Sequence, residues 1–194
     1  MKPSRKTLYQ LSLLTLLAFP LLAVIVIYFF KGSPLTEVMA TGVALPEQLL
    51  RGLIYGVVAA ANALWLVKLD ILKPATGVFK DILGDIKFRW YDIVFFSLCA
   101  GIGEELFFRG ALQQYWGIWP TAFLFILIHG YLSLTEWRIT LYGILAVIIS
   151  AGLGYLASMY GIWAAAMAHF VYDVVIFAYI IWFDETSNQN EVQR

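Results

Sequence analysis

The chain is 194 residues long, 61% hydrophobic and 13% charged, with a mean hydropathy of +0.79. A water-soluble domain carries about twice that charged fraction, so an all-α, polytopic transmembrane helical bundle is expected, a single membrane domain over residues 1–194. Its 13 basic and 13 acidic residues cancel, which leaves no electrostatic case for nucleic acid.

The first apolar run, Leu8 to Phe30, follows Lys2, Arg5 and Lys6. It is too long for a signal h-region of roughly 7–15 residues and long enough for a span of about 20. It reads as a retained first helix, bent at Pro20. A second helix is expected from about Gly52 to Val67, flanked by Arg51 and Lys68. Residues 68–89 form the most polar internal segment and read as a surface loop with room for a short interfacial helix. Helix three starts near Trp90 and contains Glu104, Glu105 and Arg109; helix four runs from about Ile118 to His129. From Ile139 to Phe183 the only formal charge is Asp173. At ~1.5 Å per residue that stretch spans ~68 Å against a ~30 Å core, so it folds back once. The turn is expected near Met159-Tyr160-Gly161, which gives helices five and six. Residues 1–89 thus hold two helices and a polar loop, 90–183 the motif-bearing helices, and 184–194 a polar tail.

Lys and Arg placement sets orientation. The N-terminus carries three basic residues, and the loop between helices two and three carries Lys68, Lys73, Lys80, Lys87 and Arg89. About six membrane helices with both termini cytoplasmic is the economical arrangement; four or five spans stay open because helix four is short. Cys99 is the only cysteine, so an intramolecular disulfide is impossible, and it reads as a small core residue.

Ionisable side chains at hydrocarbon depth are costly and face a bundle interior or wet cavity. Three such clusters occur here, on three helices. On helix three, Glu105 can pair with Arg109 at i, i+4. That leaves Glu104 about 100° away with no local partner, which suits a general base or acid. On helix four, His129 follows Phe125 by one turn; alone it would read as a core histidine. On helix six, Gly161, Ala165, His169 and Asp173 share one face. The small residues there, like Ser150, Gly154 and Ser158 on helix five, read as packing seams. Packing does not require His169 beside Asp173. By simple rise, Glu104 lies ~21 Å into helix three and His129 ~20 Å from the opposite end of helix four. On a ~30 Å slab these depths disagree by ~10 Å.

E-E-x-x-x-R (Glu104, Glu105, Arg109), then F-x-x-x-H (Phe125, His129), then H-x-x-x-D (His169, Asp173), in that order on successive apolar helices, resembles the CPBP family. These are intramembrane proteases related to the prenyl-protein (CAAX) endopeptidase and to bacteriocin-processing and self-immunity proteins. The resemblance covers about Trp90 to Phe183. It implies an intramembrane endopeptidase of a bacterial or archaeal cell membrane, acting on a membrane-anchored or hydrophobic peptide or protein within the bilayer. It implies Glu104 as the base that activates water, His129 as its holder, and His169 with residue 173 as oxyanion stabilisers. Glu105, Arg109 and Phe125 would support them. Ionised Asp accepts only, so Asp173 is expected to orient His169 rather than to donate. No cofactor is expected to be required. Zinc bound by Glu104, His129, His169 and Asp173 is the alternative.

Other readings have weaker support. A G-x-S-G serine nucleophile is missing. Tyr172-Asp173 with Gly101-Ile102-Gly103-Glu104 only partly matches an aspartyl intramembrane protease. A proton-coupled transporter would suit intramembrane Glu and His, but the chain shows no inverted repeat. A non-catalytic binding or immunity protein would carry the same motifs.

Overall fold

The computed structural model describes residues 3–67, 86–133 and 135–183. The expected loop is therefore described only from residue 86, and the polar tail lies outside the described residues. Seven helices and no strand occur among the described residues.

Helix α1 spans Arg5–Phe30, with the Ser4 side chain accepting a hydrogen bond from Thr7 N at its start. Pro20 lies inside it, and Lys31 ends it with a left-handed backbone, φ 54°. A five-residue α2, Leu35–Met39, follows. Helix α3 covers Leu45–Val67, so it starts seven residues before the expected Gly52. Its extra turns mix Leu45, Leu49 and Leu50 with Glu47, Gln48 and Arg51, and the charges there masked the start of the helix in hydropathy. Glu47 pairs with Arg51 at i, i+4, and the Arg51 guanidinium lies over the Tyr160 ring.

Helix α4 covers Trp90–Phe107 and runs on without a break through a π-helical turn, Phe108–Leu112, into Gln113–Trp116. Gly117, at φ 76°, separates it from α5, Ile118–Ile128. Helices α6, Trp137–Tyr160, and α7, Ile162–Ala178, meet at Gly161, φ 115°, where the turn was expected. A second π-helical turn, Tyr179–Phe183, extends α7.

Among the described residues, four helices are long and apolar enough to cross a bilayer: Arg5–Phe30, Leu45–Leu66, Trp137–Tyr160 and Ile162–Ile181. Helix α4 has the length, but Asp92, Glu104 and Glu105 interrupt its apolar character. At 11 residues, α5 is too short to span alone. Leu13, Leu14, Leu17 and Leu21 on α1 are exposed. In water such a surface would aggregate; in hydrocarbon it is the solvent-facing side. The protein is a membrane-embedded helical bundle.

Its most extensive helix pairing joins α3 to α7. A Cβ on Gly52 would lie 2.4 Å from the Ala164 carbonyl oxygen, and one on Gly56 2.6 Å from that of Ala168. Backbones approach this closely only where side chains are missing, the small-xxx-small packing of membrane helices. On α7 this seam uses Ala164 and Ala168, which turns the adjacent His169 and Asp173 toward α4 and α6.

Candidate active site

The three motif clusters converge. Glu104 and Glu105 come from α4, His129 from the end of α5, and His169 with Asp173 from α7. All but Glu105 line one cavity of about 340 Å³. The apparent mismatch in depth disappears because α4 continues to Trp116. Its 27 residues measure ~40 Å rather than one ~30 Å slab. Glu104 lies thirteen residues before Gly117 and His129 twelve after it, so the return at Gly117 brings them to one level.

Glu105 is the fixed point. Its side chain is 0% exposed, and Oε1 accepts from Arg109 Nη1 at 2.9 Å and from His169 Nδ1 at 2.8 Å. Arg109 is equally buried and spends its other terminal nitrogen on Ser150, donating to Oγ at 2.7 Å and to the carbonyl oxygen at 2.9 Å. Its guanidinium also stands over the Phe125 ring, 4.8 Å from the centroid. The π-helical turn holds Arg109. Such turns recur at functional sites because they re-aim side chains within a continuous helix. Thus α4, α6 and α7 are joined through one buried network of charge-assisted bonds.

The hydrogen bond that orients His169 runs from its Nδ1–H to Glu105 rather than to Asp173. Asp173 Oδ2 sits 3.5 Å from Nε2, on the nitrogen that faces the cavity. With Nδ1 committed to a carboxylate, Nε2 is the free pole of His169. Its counterpart is His129, whose Nδ1 lies 2.6 Å from the Phe125 carbonyl oxygen. A carbonyl only accepts, so Nδ1 of His129 carries the proton and Nε2 of the neutral ring is an acceptor.

Glu104 stands between these two free nitrogens. Its Oε2 is 3.7 Å from His129 Nε2 and 3.9 Å from His169 Nε2. That oxygen is buried and has no hydrogen-bond partner among the described residues. Glu105 Oε2 is also buried without a hydrogen-bond partner among the described residues, but it is the Glu104 oxygen that stands between two imidazole nitrogens, each ring oriented from its far side.

Sequence reasoning missed several members. Ser150 was read as packing yet is the anchor of Arg109 on α6. Gln113 makes similar use of the same small stripe, donating to the Gly154 carbonyl at 3.0 Å and to Ser158 Oγ at 3.1 Å. Three tyrosines, Tyr131, Tyr142 and Tyr172, line the cavity, and the hydroxyls of the last two are 3.3 Å apart. None has a spacing that would mark it in sequence. Among the described residues, no three His, Cys, Asp or Glu side chains are arranged to hold a metal ion.

A water-excluding bundle built around an acid–base cluster defines the class: a membrane-embedded protein with a buried carboxylate–imidazole site. Residues 86–175 form a segment that matches the family model described as Type II CAAX prenyl endopeptidase Rce1-like. It contains every residue of the cluster. The uncharacterized protein YpbD of Bacillus subtilis (strain 168) is 34% identical over 84 residues, 43% of this chain and 42% of YpbD. The chain thus aligns with about two fifths of the length of this curated relative. No solved structure matches it.

Proposed function

We propose that the chain is an intramembrane endopeptidase that hydrolyses a peptide bond of a membrane-associated protein or peptide with water activated by Glu104. The observation that carries this reading is the unpartnered Oε2 of Glu104 set between the Nε2 atoms of two oriented histidines. The family of the matched segment supports the reaction class.

The atoms divide the work as follows. Glu104 accepts one proton of a water, and Nε2 of His129 accepts a hydrogen bond from the other. The water oxygen is thereby left free to attack the scissile carbonyl carbon. The tetrahedral oxyanion then takes a hydrogen bond from His169 Nε2, which must be protonated to donate; Glu105 and Asp173 are the counter-charges for that imidazolium. Donors fixed before charge develops contribute most to such steps. Collapse breaks the C–N bond, and the proton held by Glu104 passes to the departing amine. Arg109 and Ser150 act by holding Glu105.

The reading is of a metal-free reaction. In the alternative, Glu104, His129, His169 and Asp173 would be the ligands of a zinc ion; no step is routed through it. Protein dialysed against a strong chelator is expected to keep its turnover. Loss of activity with stoichiometric zinc removed, and its return on zinc addition, would overturn this.

Substrates of suitable chemistry are a prenylated tail, a leader peptide or a C-terminal sorting segment. The basic N-terminus and the basic residues before α4 support cytoplasmic termini in a bacterial or archaeal cell membrane. Glu104→Gln decides the central assignment: cleavage should vanish while expression and thermal stability stay near those of the unaltered chain. Turnover comparable to wild type would refute it.

A further inference from the structure

Of the side chains assigned to the reaction, His129 is the one that lies past the end of its helix. Helix α5 stops at Ile128, His129 is its C-cap, and Gly130 follows at φ 78°. Its side chain is 31% exposed against 8% for His169. A 3.7 Å relation to Glu104 therefore depends on what packs against the two sides of the ring. The Nδ1–H bond to Phe125 and the Phe125 ring, 4.3 Å away at 37°, supply one side of the restraint. The other ring is Tyr131, lying nearly parallel to the imidazole at 6.1 Å and 11°.

Building on the reading of His129 as a catalytic group, we propose that Tyr131 is a positioning residue for His129, held in place by α6 through Gly143. Offset parallel rings at this separation attract and resist tilting, so the Tyr131 face fixes the plane in which Nε2 points. Tyr131 is itself braced edge-on by Tyr142, 5.3 Å away at 77°. Its backbone is pressed against α6: a Cβ on Gly143 would lie 2.1 Å from the Tyr131 carbonyl oxygen. Two further bonds tie the same loop to α6. Ser133 N donates to Thr140 Oγ1 at 3.0 Å, and that hydroxyl donates to the Ser133 carbonyl at 2.6 Å. The order of support runs from α6 to the loop, to Tyr131, to the imidazole.

The chain has two histidines, so ¹⁵N-histidine labelling of the full-length protein gives two ring signatures. Unaltered protein should show His129 as the Nδ1–H tautomer. Tyr131→Phe keeps the ring and should leave that signature intact, and turnover is followed with a fluorogenic prenylated CAAX-tail peptide. Tyr131→Leu should convert one histidine to mixed tautomers. It should also lower kcat by about 100-fold, the scale expected of a misplaced catalytic group, with KM unchanged. Gly143→Ala displaces the loop while keeping the Tyr131 side chain. It should act in the same direction, and it carries the test if the Leu variant does not fold. Unchanged histidine signatures in both Tyr131→Leu and Gly143→Ala overturn the proposal, whatever their kcat, as does loss of the signature in Tyr131→Phe. If wild-type protein fails to cleave the peptide while the signatures shift as described, the endopeptidase reading fails for that substrate and the positioning role stands.

Discussion

Two buried carboxylates on α4, twelve residues apart, are treated in opposite ways. Asp92, near the start of the helix, is 0% exposed and fully engaged. Its Oδ1 accepts from Arg5 Nη2 at 2.7 Å, from Arg5 Nε at 3.1 Å and from the Tyr9 hydroxyl, and its Oδ2 accepts from Arg89 N at 2.8 Å. This ties α1 to the N-terminus of α4 and leaves nothing over for chemistry. Glu104 is also buried, yet its Oε2 makes no hydrogen bond among the described residues and faces a cavity. Burying a carboxylate without partners is costly, and a fold tolerates it where the group has a task. An unsatisfied oxygen that faces the cavity and two imidazoles, rather than burial or charge, separates Glu104 from Asp92.

Glu105 lies between these extremes and gives the largest expected combined effect. It orients His169 and neutralises Arg109, so Glu105→Gln should remove most activity and also lower stability. Breaking a buried pair by altering one partner costs about 3–5 kcal/mol. Thermal denaturation in detergent alongside kcat would check this; activity loss without destabilisation would move Glu105 into the group that includes Glu104. Next comes Asp173. Replacement by Leu should nearly abolish turnover by placing an apolar group 3.5 Å from the working nitrogen of His169. Asp173→Asn keeps a polar group there and should retain substantial turnover. Equal inactivity of the two variants would mean that the charge of Asp173 is indispensable.

Much of this site was readable because membrane helices give few reasons for ionisable side chains. Glu104, His129, His169 and Asp173 stood out against apolar surroundings, and Glu105 with Arg109 by i, i+4 spacing. The Gly161 turn followed from length alone. What escaped was determined by the third dimension. The partner of His169 Nδ1 is 64 residues away on another helix, and Ser150 looks like any small residue in a seam. The π-helical turn leaves no compositional trace. It belongs to the unbroken run that carries α4 to Trp116, and that added length resolved the conflict in depth between Glu104 and His129. Asp92 was passed over because its partners, Arg5 and Tyr9, lie more than eighty residues earlier.

The contrast within α4 yields the most direct measurement: kcat and thermal midpoint for Glu104→Gln and Asp92→Asn, side by side in one assay. Glu104→Gln should lose turnover and keep the midpoint. Asp92→Asn sets an amide N–H against the Arg89 or Arg5 donors. It should lose about 1–3 kcal/mol, the penalty for mispaired buried groups, while the folded fraction keeps wild-type kcat. The opposite pattern, with Glu104→Gln active or Asp92→Asn folded at the wild-type midpoint yet inactive, would contradict the assignment of chemistry to the unsatisfied carboxylate.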